Sequence, residues 1–140
     1  MSFREKSAWV VLVANLVVFG LYFGALAPAL LRGAVDQPHF IGLLAKSVAL
    51  LVVVIVILSI AMAIRSPGEA NAPRDEREKL IALKGARVAY VALATTAVAA
   101  FWGLIAGLDR FLVANALFLG LVVAEAAQNG VQIVHYRRGA

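Results

Sequence analysis

Long apolar stretches separated by short polar segments set the pattern of this chain. A helix needs roughly 20 apolar residues to cross about 30 Å of hydrocarbon. Four stretches meet this requirement, over residues 8–27, 40–64, 88–107 and 111–134. Their apolar positions are continuous and do not alternate with a period of two, which disfavours a membrane β-barrel. The pattern predicts an all-α, polytopic membrane protein: an antiparallel bundle of four transmembrane helices.

The densest charge lies just before the third stretch, in RDEREKLIALKGARVAY (residues 74–90). Asp75, followed by Glu78 three residues later, is typical of a helix N-cap with its capping partner. Acidic residues come first and basic residues later, which suits the helix dipole. No proline interrupts the chain from Asp75 to Gly107. We therefore predict one helix over this range, longer than the bilayer requires, and expect any kink in it at Gly85.

Composition supports a lipid environment. Hydrophobic residues make up 63% of the 140 residues and charged residues 15%, with a mean hydropathy of +0.91. Soluble domains are usually about 45–50% apolar and about 25% charged. A soluble fold of this length could not bury so much apolar surface. We expect a single membrane domain over residues 1–140, in which residues 65–87 form a linker and a helix extension.

The sequence contains no recognisable catalytic chemistry. There is no cysteine, which excludes disulfides, thiolate metal sites and thiol redox chemistry. His39 and His135 fall near opposite ends of predicted helices, which disfavours a bis-histidine haem or a zinc site. Neither a nucleophile with its base nor a glycine-rich phosphate-binding loop is present. We expect no enzyme activity, no catalytic residue, no cofactor and no metal.

Basic residues are distributed unevenly around the four spans. Of the thirteen lysines and arginines, ten lie before the first span, between the second and third, or after the fourth. Arg32 and Arg110 lie in the other two loops, and Lys46 lies inside the second span. Because loops rich in lysine and arginine stay in the cytoplasm, we predict a multi-pass protein of the prokaryotic inner (plasma) membrane with both termini and the 65–87 segment cytoplasmic.

The first span has one alternative interpretation. It follows a charged start and ends in Ala-Leu-Ala, as a cleavable signal peptide does. Pro28 would follow the cut, so we interpret the span as a retained helix.

Basic side chains of the 74–87 helix extension share one side of a helical wheel. They are Arg74, Arg77, Lys84 and Arg87. Each basic group near the inner surface favours anionic lipid by about 1 kcal/mol. We interpret the four as a headgroup-binding basic cluster. The alternative is a stalk that docks a protein partner. We expect no nucleic-acid binding, because the segment is short and its aromatic residue, Tyr90, lies at the membrane edge.

The same segment carries a resemblance to a group of known proteins. Its matching residues are Asp75, Glu76, Arg77, Glu78, Ile81, Lys84 and Arg87. In this pattern the chain resembles small uncharacterised four-span prokaryotic membrane proteins that carry a D-E-R-[DE]-x-x-I-x-x-[KR]-x-x-R segment before the third span. The start SFREKSAW (residues 2–9) is similar to the start of such proteins. The resemblance implies a fold and a compartment, and no activity.

Polar residues form a stripe along the inner half of the fourth span, where ionisable groups are functional candidates. The candidate intramembrane polar site consists of Glu125, Gln128, Asn129 and Gln132, with Tyr136 at the end of the stripe and Asn15 of the first span at similar depth. One interpretation is a proton-, cation- or amine-binding cavity open to the cytoplasm. The other is a hydrogen-bonded helix contact or a homodimer interface, with Glu125 neutral.

Two further features bear on packing. Lys46 can extend its stem to the outer surface or pair there. Small residues at four-residue spacing predict close helix contacts; they are Ala92, Thr96 and Ala100 in the third span and Ala116, Gly120 and Ala124 in the fourth. The short GLDR turn makes these two spans antiparallel neighbours.

The sequence favours a structural, regulatory or partner-binding role for an integral membrane protein. The alternative is a small cation- or proton-coupled transporter or channel that uses the stripe around Glu125. Expected partners are the bilayer, anionic headgroups at the cytoplasmic face, and either a second copy of the chain or another protein bound through the 74–87 extension.

Overall fold

Four long helices make up the fold. The computed structural model describes residues 3–68, 73 and 75–138. In chain order the helices are α1 (Phe3–Leu31), α2 (Gln37–Arg65), α3 (Glu76–Ile105) and α4 (Arg110–Arg138). No strand occurs in these described ranges. The all-α prediction is confirmed, and each predicted span corresponds to one helix.

Each helix is long and apolar enough to cross a membrane. The most apolar 18-residue stretches of α1 to α4 have mean hydropathies of 2.3, 3.1, 1.9 and 1.8. The helices contain 29 or 30 residues, so each is about 45 Å long at 1.5 Å per residue. They extend beyond the predicted spans because hydropathy marks only the part that suits hydrocarbon. The fold is therefore compatible with a multi-pass membrane protein.

The charged segment before the third span forms the start of α3, as predicted. Asp75 is the N-cap residue, and its side-chain oxygen accepts a hydrogen bond from the Glu78 backbone N–H at 2.7 Å. The helix then continues through Gly85 to Ile105 without interruption. In the linker before it, residues 69–72 and 74 lie outside the described residues.

The helices lie side by side in the order α2, α1, α4, α3. α1 packs against α2 and α4, and α4 also packs against α3. Along the α1–α4 pair, Asn15 contacts Val122 while Tyr22, further along α1, contacts the earlier residue Asn115. The two helices therefore run in opposite directions. α1 and α4 occupy the centre, and α2 and α3 form the flanks.

Small residues let α3 and α4 approach closely. A Cβ atom on Gly120 would overlap with the side chain of Thr96, so the glycine leaves room for that threonine. Between the helices, Gly107 adopts a left-handed φ of +81°, which suits a residue without Cβ. Asp109 then caps α4 by accepting hydrogen bonds from two backbone N–H groups at 2.9 and 3.1 Å. Ala116, also in the predicted row, is exposed.

The main core lies between α1, α2 and α4. Its buried members are Val18, Phe19, Tyr22, Leu26, Phe40 and Val122. The Phe19 ring meets the Phe118 ring edge to face, with centroids 5.0 Å apart. By contrast, the most apolar 18-residue stretch of α2 contains no buried residue. Such a surface is unfavourable in water and suits lipid, because the helical backbone satisfies its own hydrogen bonds.

Candidate functional site

Ion pairs join three helix termini at one end of the bundle, which we call the charged end: the start of α1, the start of α3 and the last turn of α4. Glu5 accepts a hydrogen bond from Arg137 Nε at 3.3 Å. The Glu5 side chain is only 9% exposed. Arg4 Nε lies 3.9 Å from a carboxylate oxygen of Glu78. An acid near a helix N-terminus and a base near a C-terminus also suit the helix dipoles.

Arg137 has a second contact at the charged end. Its guanidinium carbon lies 5.4 Å from the centroid of the Trp9 ring, within the range of a cation–π interaction. The Trp9 indole N–H is buried and has no hydrogen-bond partner among the described residues. The last turn of α4 is thus held against α1 by charge and by ring contact together.

A pocket of about 510 Å³ opens between α1, α3 and α4 at the charged end. We call it the charged-end pocket. Its polar lining comes from Arg4, Ser7, Lys79, Gln128, Asn129, Gln132 and Tyr136. Two cationic side chains and five side chains able to donate through an amide or a hydroxyl group face one space, and no carboxylate of a described residue is in the lining. Asn129 is buried, and its amide also donates to the Glu125 backbone carbonyl at 2.8 Å.

Gly85 of α3 lets this helix approach α4 closely at Gln128 and Gln132, two of the residues that line the pocket. A Cβ atom on Gly85 would lie 2.9 Å from the Gln128 carbonyl oxygen and 3.1 Å from Cγ of Gln132. The Gln128 oxygen belongs to the backbone and cannot rotate away. A larger residue at position 85 would therefore force α3 and α4 apart at the pocket.

A second pocket, of about 270 Å³, lies between α1, α2 and α4. We call it the Asn15–Glu125 pocket, because these two residues supply its polar side chains among otherwise apolar walls. Asn15 is 3% exposed. Its Nδ2 donates to the Val122 carbonyl at 3.3 Å, whereas its Oδ1 is buried and has no partner among the described residues. The pocket thus contains an unused hydrogen-bond acceptor.

The predicted polar stripe is divided between the two pockets. Glu125 lies with Asn15, while Gln128, Asn129 and Gln132 line the charged-end pocket. A helical wheel groups these residues by angle alone. However, α4 has different neighbours at different points along its length. Near Glu125 they are α1 and α2, and near Gln128 and Gln132 they are α1 and α3.

The predicted basic cluster lies on the outside of α3. Arg77, Lys84 and Arg87 are exposed, and Arg74 lies outside the described residues. None of the three lines the charged-end pocket. Lys46 of α2 is exposed and forms no ion pair with a described residue.

Sequence reasoning missed the cations of the charged-end pocket. It used Arg4 and Lys79 as signals of orientation, and Lys79 also as one of the basic residues that follow the acidic start of the helix, and it placed neither in a site. Lys79, Ala82, Leu83 and Ala86 share a face of α3 at helical spacing, which is the one local signal available. That spacing does not reveal which helix faces them.

Among the described residues, no three His, Asp or Glu side chains are grouped to hold a metal ion. No protein-family model, curated protein or solved structure matches this chain. The chemistry of the two pockets is therefore the basis for a functional proposal.

Proposed function

We propose that this chain is a multi-pass protein of a prokaryotic inner membrane, an antiparallel bundle of four transmembrane helices with both termini in the cytoplasm. Its four apolar helices and the excess of basic residues on one side of the predicted topology support this proposal. The charged end then faces the cytoplasm, at the level of the lipid headgroups or beyond.

Its role in this proposal is structural or partner-binding, and its first partner is anionic lipid. The observation that carries the proposal is the charged-end pocket, where Arg4 and Lys79 face a space of about 510 Å³ together with amide groups. Basic pockets between transmembrane helices on the cytoplasmic side suit phosphate-bearing headgroups. The exposed Arg77, Lys84 and Arg87 would add attraction to the surrounding anionic surface.

The ion pairs already present at the charged end do not prevent such binding. Lys79 pairs with Glu76 at 2.7 Å, but both side chains are largely exposed. Exposed pairs at this helical spacing contribute only about 0.3–0.5 kcal/mol. The 3.9 Å separation of Arg4 and Glu78 is at the outer limit of an ion pair. A headgroup phosphate can therefore compete with Glu76 for Lys79 and with Glu78 for Arg4.

Lipid-dependent stability tests this role. Phosphatidylglycerol added to the purified full chain in neutral micelles should raise the unfolding temperature more than phosphatidylcholine, because a ligand of the folded state stabilises it. The double variant Arg4→Gln, Lys79→Gln should lose most of the difference between the two lipids. The matched control Arg32→Gln, Arg110→Gln changes two exposed arginines at the other end and should retain it. Equal shifts with both lipids would contradict the proposal.

A second candidate function is supported by the Asn15–Glu125 pocket: a small cation- or proton-coupled transporter or channel. Glu125 lies near the middle of an apolar helix, beside an unpartnered buried acceptor. In proteoliposomes, Glu125→Gln should abolish proton or cation flux, while Glu76→Gln, on the exposed start of α3, should leave it unchanged. Absence of flux in the unaltered chain, or flux that persists in Glu125→Gln, would exclude this role.

A further inference from the structure

The lining of the Asn15–Glu125 pocket combines a carboxyl group, an unused acceptor and two aromatic rings. We infer that it binds a small lipophilic ammonium ion that carries at least one N–H group. This inference rests on the site of the second candidate function and names its ligand class. It does not require that the ligand be transported.

The charge of the ligand follows from Glu125. This carboxylate forms no ion pair with a described lysine, arginine or histidine, and every other residue of its pocket is uncharged. Glu125 is exposed at the mouth of this pocket, so in the proposed membrane its carboxylate would border hydrocarbon, where the ionised form is unfavourable unless a cation pairs with it. A positively charged ligand supplies that cation.

The hydrogen-bonding group of the ligand follows from Asn15. Its Nδ2 is engaged with the Val122 carbonyl, so the group left over is the Oδ1 acceptor. Val122 and Glu125 are three residues apart, which places them on adjacent positions of the same face of α4. A ligand with an N–H donor can therefore bind the carboxylate and the amide oxygen together. A quaternary ammonium ion has no such donor.

The apolar part of the ligand follows from the remaining walls. Phe19 and Phe118 pack edge to face and both line the pocket, and aromatic ring faces attract ammonium ions. Leu51 and Ile55 of α2 contribute a hydrocarbon wall. Within each helix these residues recur about one turn apart, at intervals of three or four, with Leu121 and Val122 adjacent on α4, so that they share a face. A volume of about 270 Å³ lies just below the roughly 300–1,000 Å³ of drug-sized ligand sites, which favours a small ligand.

A bare metal cation fits this lining poorly. Hard cations such as Ca²⁺ take about 6–8 oxygen ligands. Of the described residues that line the pocket, only Asn15 and Glu125 offer side-chain oxygens. An organic ammonium ion needs fewer acceptors, because its hydrocarbon groups lie against the apolar walls.

Equilibrium binding tests the inference with 2-phenylethylammonium as the probe. The full chain is purified in neutral micelles, and binding is measured by equilibrium dialysis. Glu125→Gln should weaken binding at least tenfold, because a charge-assisted hydrogen bond is lost. Glu76→Gln, which alters a carboxylate with an 87% exposed side chain, should keep the affinity within twofold. The N,N,N-trimethyl analogue should bind several-fold more weakly, because it cannot donate to Asn15.

A second variant keeps the test decisive if Glu125→Gln fails to fold. Phe118→Leu retains apolar volume and removes one ring, and it should weaken binding roughly threefold to tenfold. Circular dichroism establishes that each variant is helical before it is used. The neutral isostere 2-phenylethanol should bind the unaltered chain and Glu125→Gln equally.

Three results would overturn the inference. In the first, the unaltered chain and Glu125→Gln bind 2-phenylethylammonium with equal affinity. In the second, the unaltered chain binds the ammonium ion and its trimethyl analogue with equal affinity. In the third, the unaltered chain shows no saturable binding. The outcome for transport is separate. Ammonium binding without flux in proteoliposomes would contradict the transporter role but support the binding site. Glu125-dependent proton flux without ammonium binding would contradict the proposed ligand class but support the transporter role.

Discussion

Tyr22 and Asn115 share a hydrogen bond across the centre of the bundle. The Tyr22 hydroxyl donates to Asn115 Oδ1 at 2.6 Å, although the two residues are 93 positions apart in the chain. Both side chains are buried. The Asn115 amide nitrogen in turn donates to the Phe111 carbonyl at 2.9 Å. This arrangement satisfies both polar groups within an apolar core and aligns α1 with α4.

Removal of the Tyr22 hydroxyl should destabilise the fold. Tyr22→Phe leaves Asn115 Oδ1 buried without its donor, and we expect a loss of about 1 kcal/mol, since hydrogen bonds between membrane helices average about 0.6 and reach about 1.7 kcal/mol. Unfolding in mixed micelles with increasing dodecyl sulfate measures the loss. Tyr90→Phe is the control, because Tyr90 is 73% exposed. Equal losses for both variants would show that the buried bond contributes nothing specific.

A methyl group added at Gly120 should destabilise the fold, because this glycine lies against Thr96. Gly120→Ala would place a Cβ atom into the threonine side chain, and overpacking of this kind costs about 1–3 kcal/mol. Gly130→Ala is the matched control on the same helix, because a Cβ there meets nothing within 4 Å. It should be neutral or stabilise by up to about 1 kcal/mol through helix propensity. The same unfolding assay separates the two; a neutral Gly120→Ala would contradict the close approach of α3 and α4.

Loss of Arg137 should weaken the charged end more than loss of its neighbour. Arg137→Gln removes both the pair with buried Glu5 and the contact with Trp9. We expect a cost of about 1–2 kcal/mol, between the values for exposed and fully buried pairs. Arg138→Gln changes an exposed residue with the same charge and should cost under about 0.5 kcal/mol. Thermal unfolding of the purified variants provides the comparison, and similar costs would count against the structural role of the Glu5–Arg137 pair.

The proposed membrane orientation can be tested by labelling single introduced cysteines, because the chain contains no cysteine of its own. Ala34→Cys lies in the exposed loop between α1 and α2, and Gly68→Cys lies just after α2. A membrane-impermeant maleimide should label position 34 in intact cells and position 68 only after permeabilisation. The opposite result would reverse the topology and place the charged end outside the cytoplasm. The unaltered chain serves as the unlabelled control.

Much of the fold was predictable because its causes are local. Hydropathy over about 20 residues identifies a helix that suits lipid without reference to any other part of the chain, and all four predicted spans correspond to helices. The cap of α3 is equally local, since Asp75 and Glu78 are three residues apart. The exact ends of α1 and α4 were less predictable, because their charged terminal turns are stabilised by each other through Glu5 and Arg137.

The candidate site depended on information that no single helix contains. Periodicity along one helix is enough to predict the polar stripe of α4, because side chains at helical spacing share a face. The packing of the helices places Glu125 with Asn15 in one pocket, and Gln128 and Gln132 with Arg4 and Lys79 in another. The physical reason is that a pocket is formed by neighbouring helices. Which helices are neighbours depends on long-range contacts, such as that between Gly85 and Gln128, and not on the periodicity of any one of them.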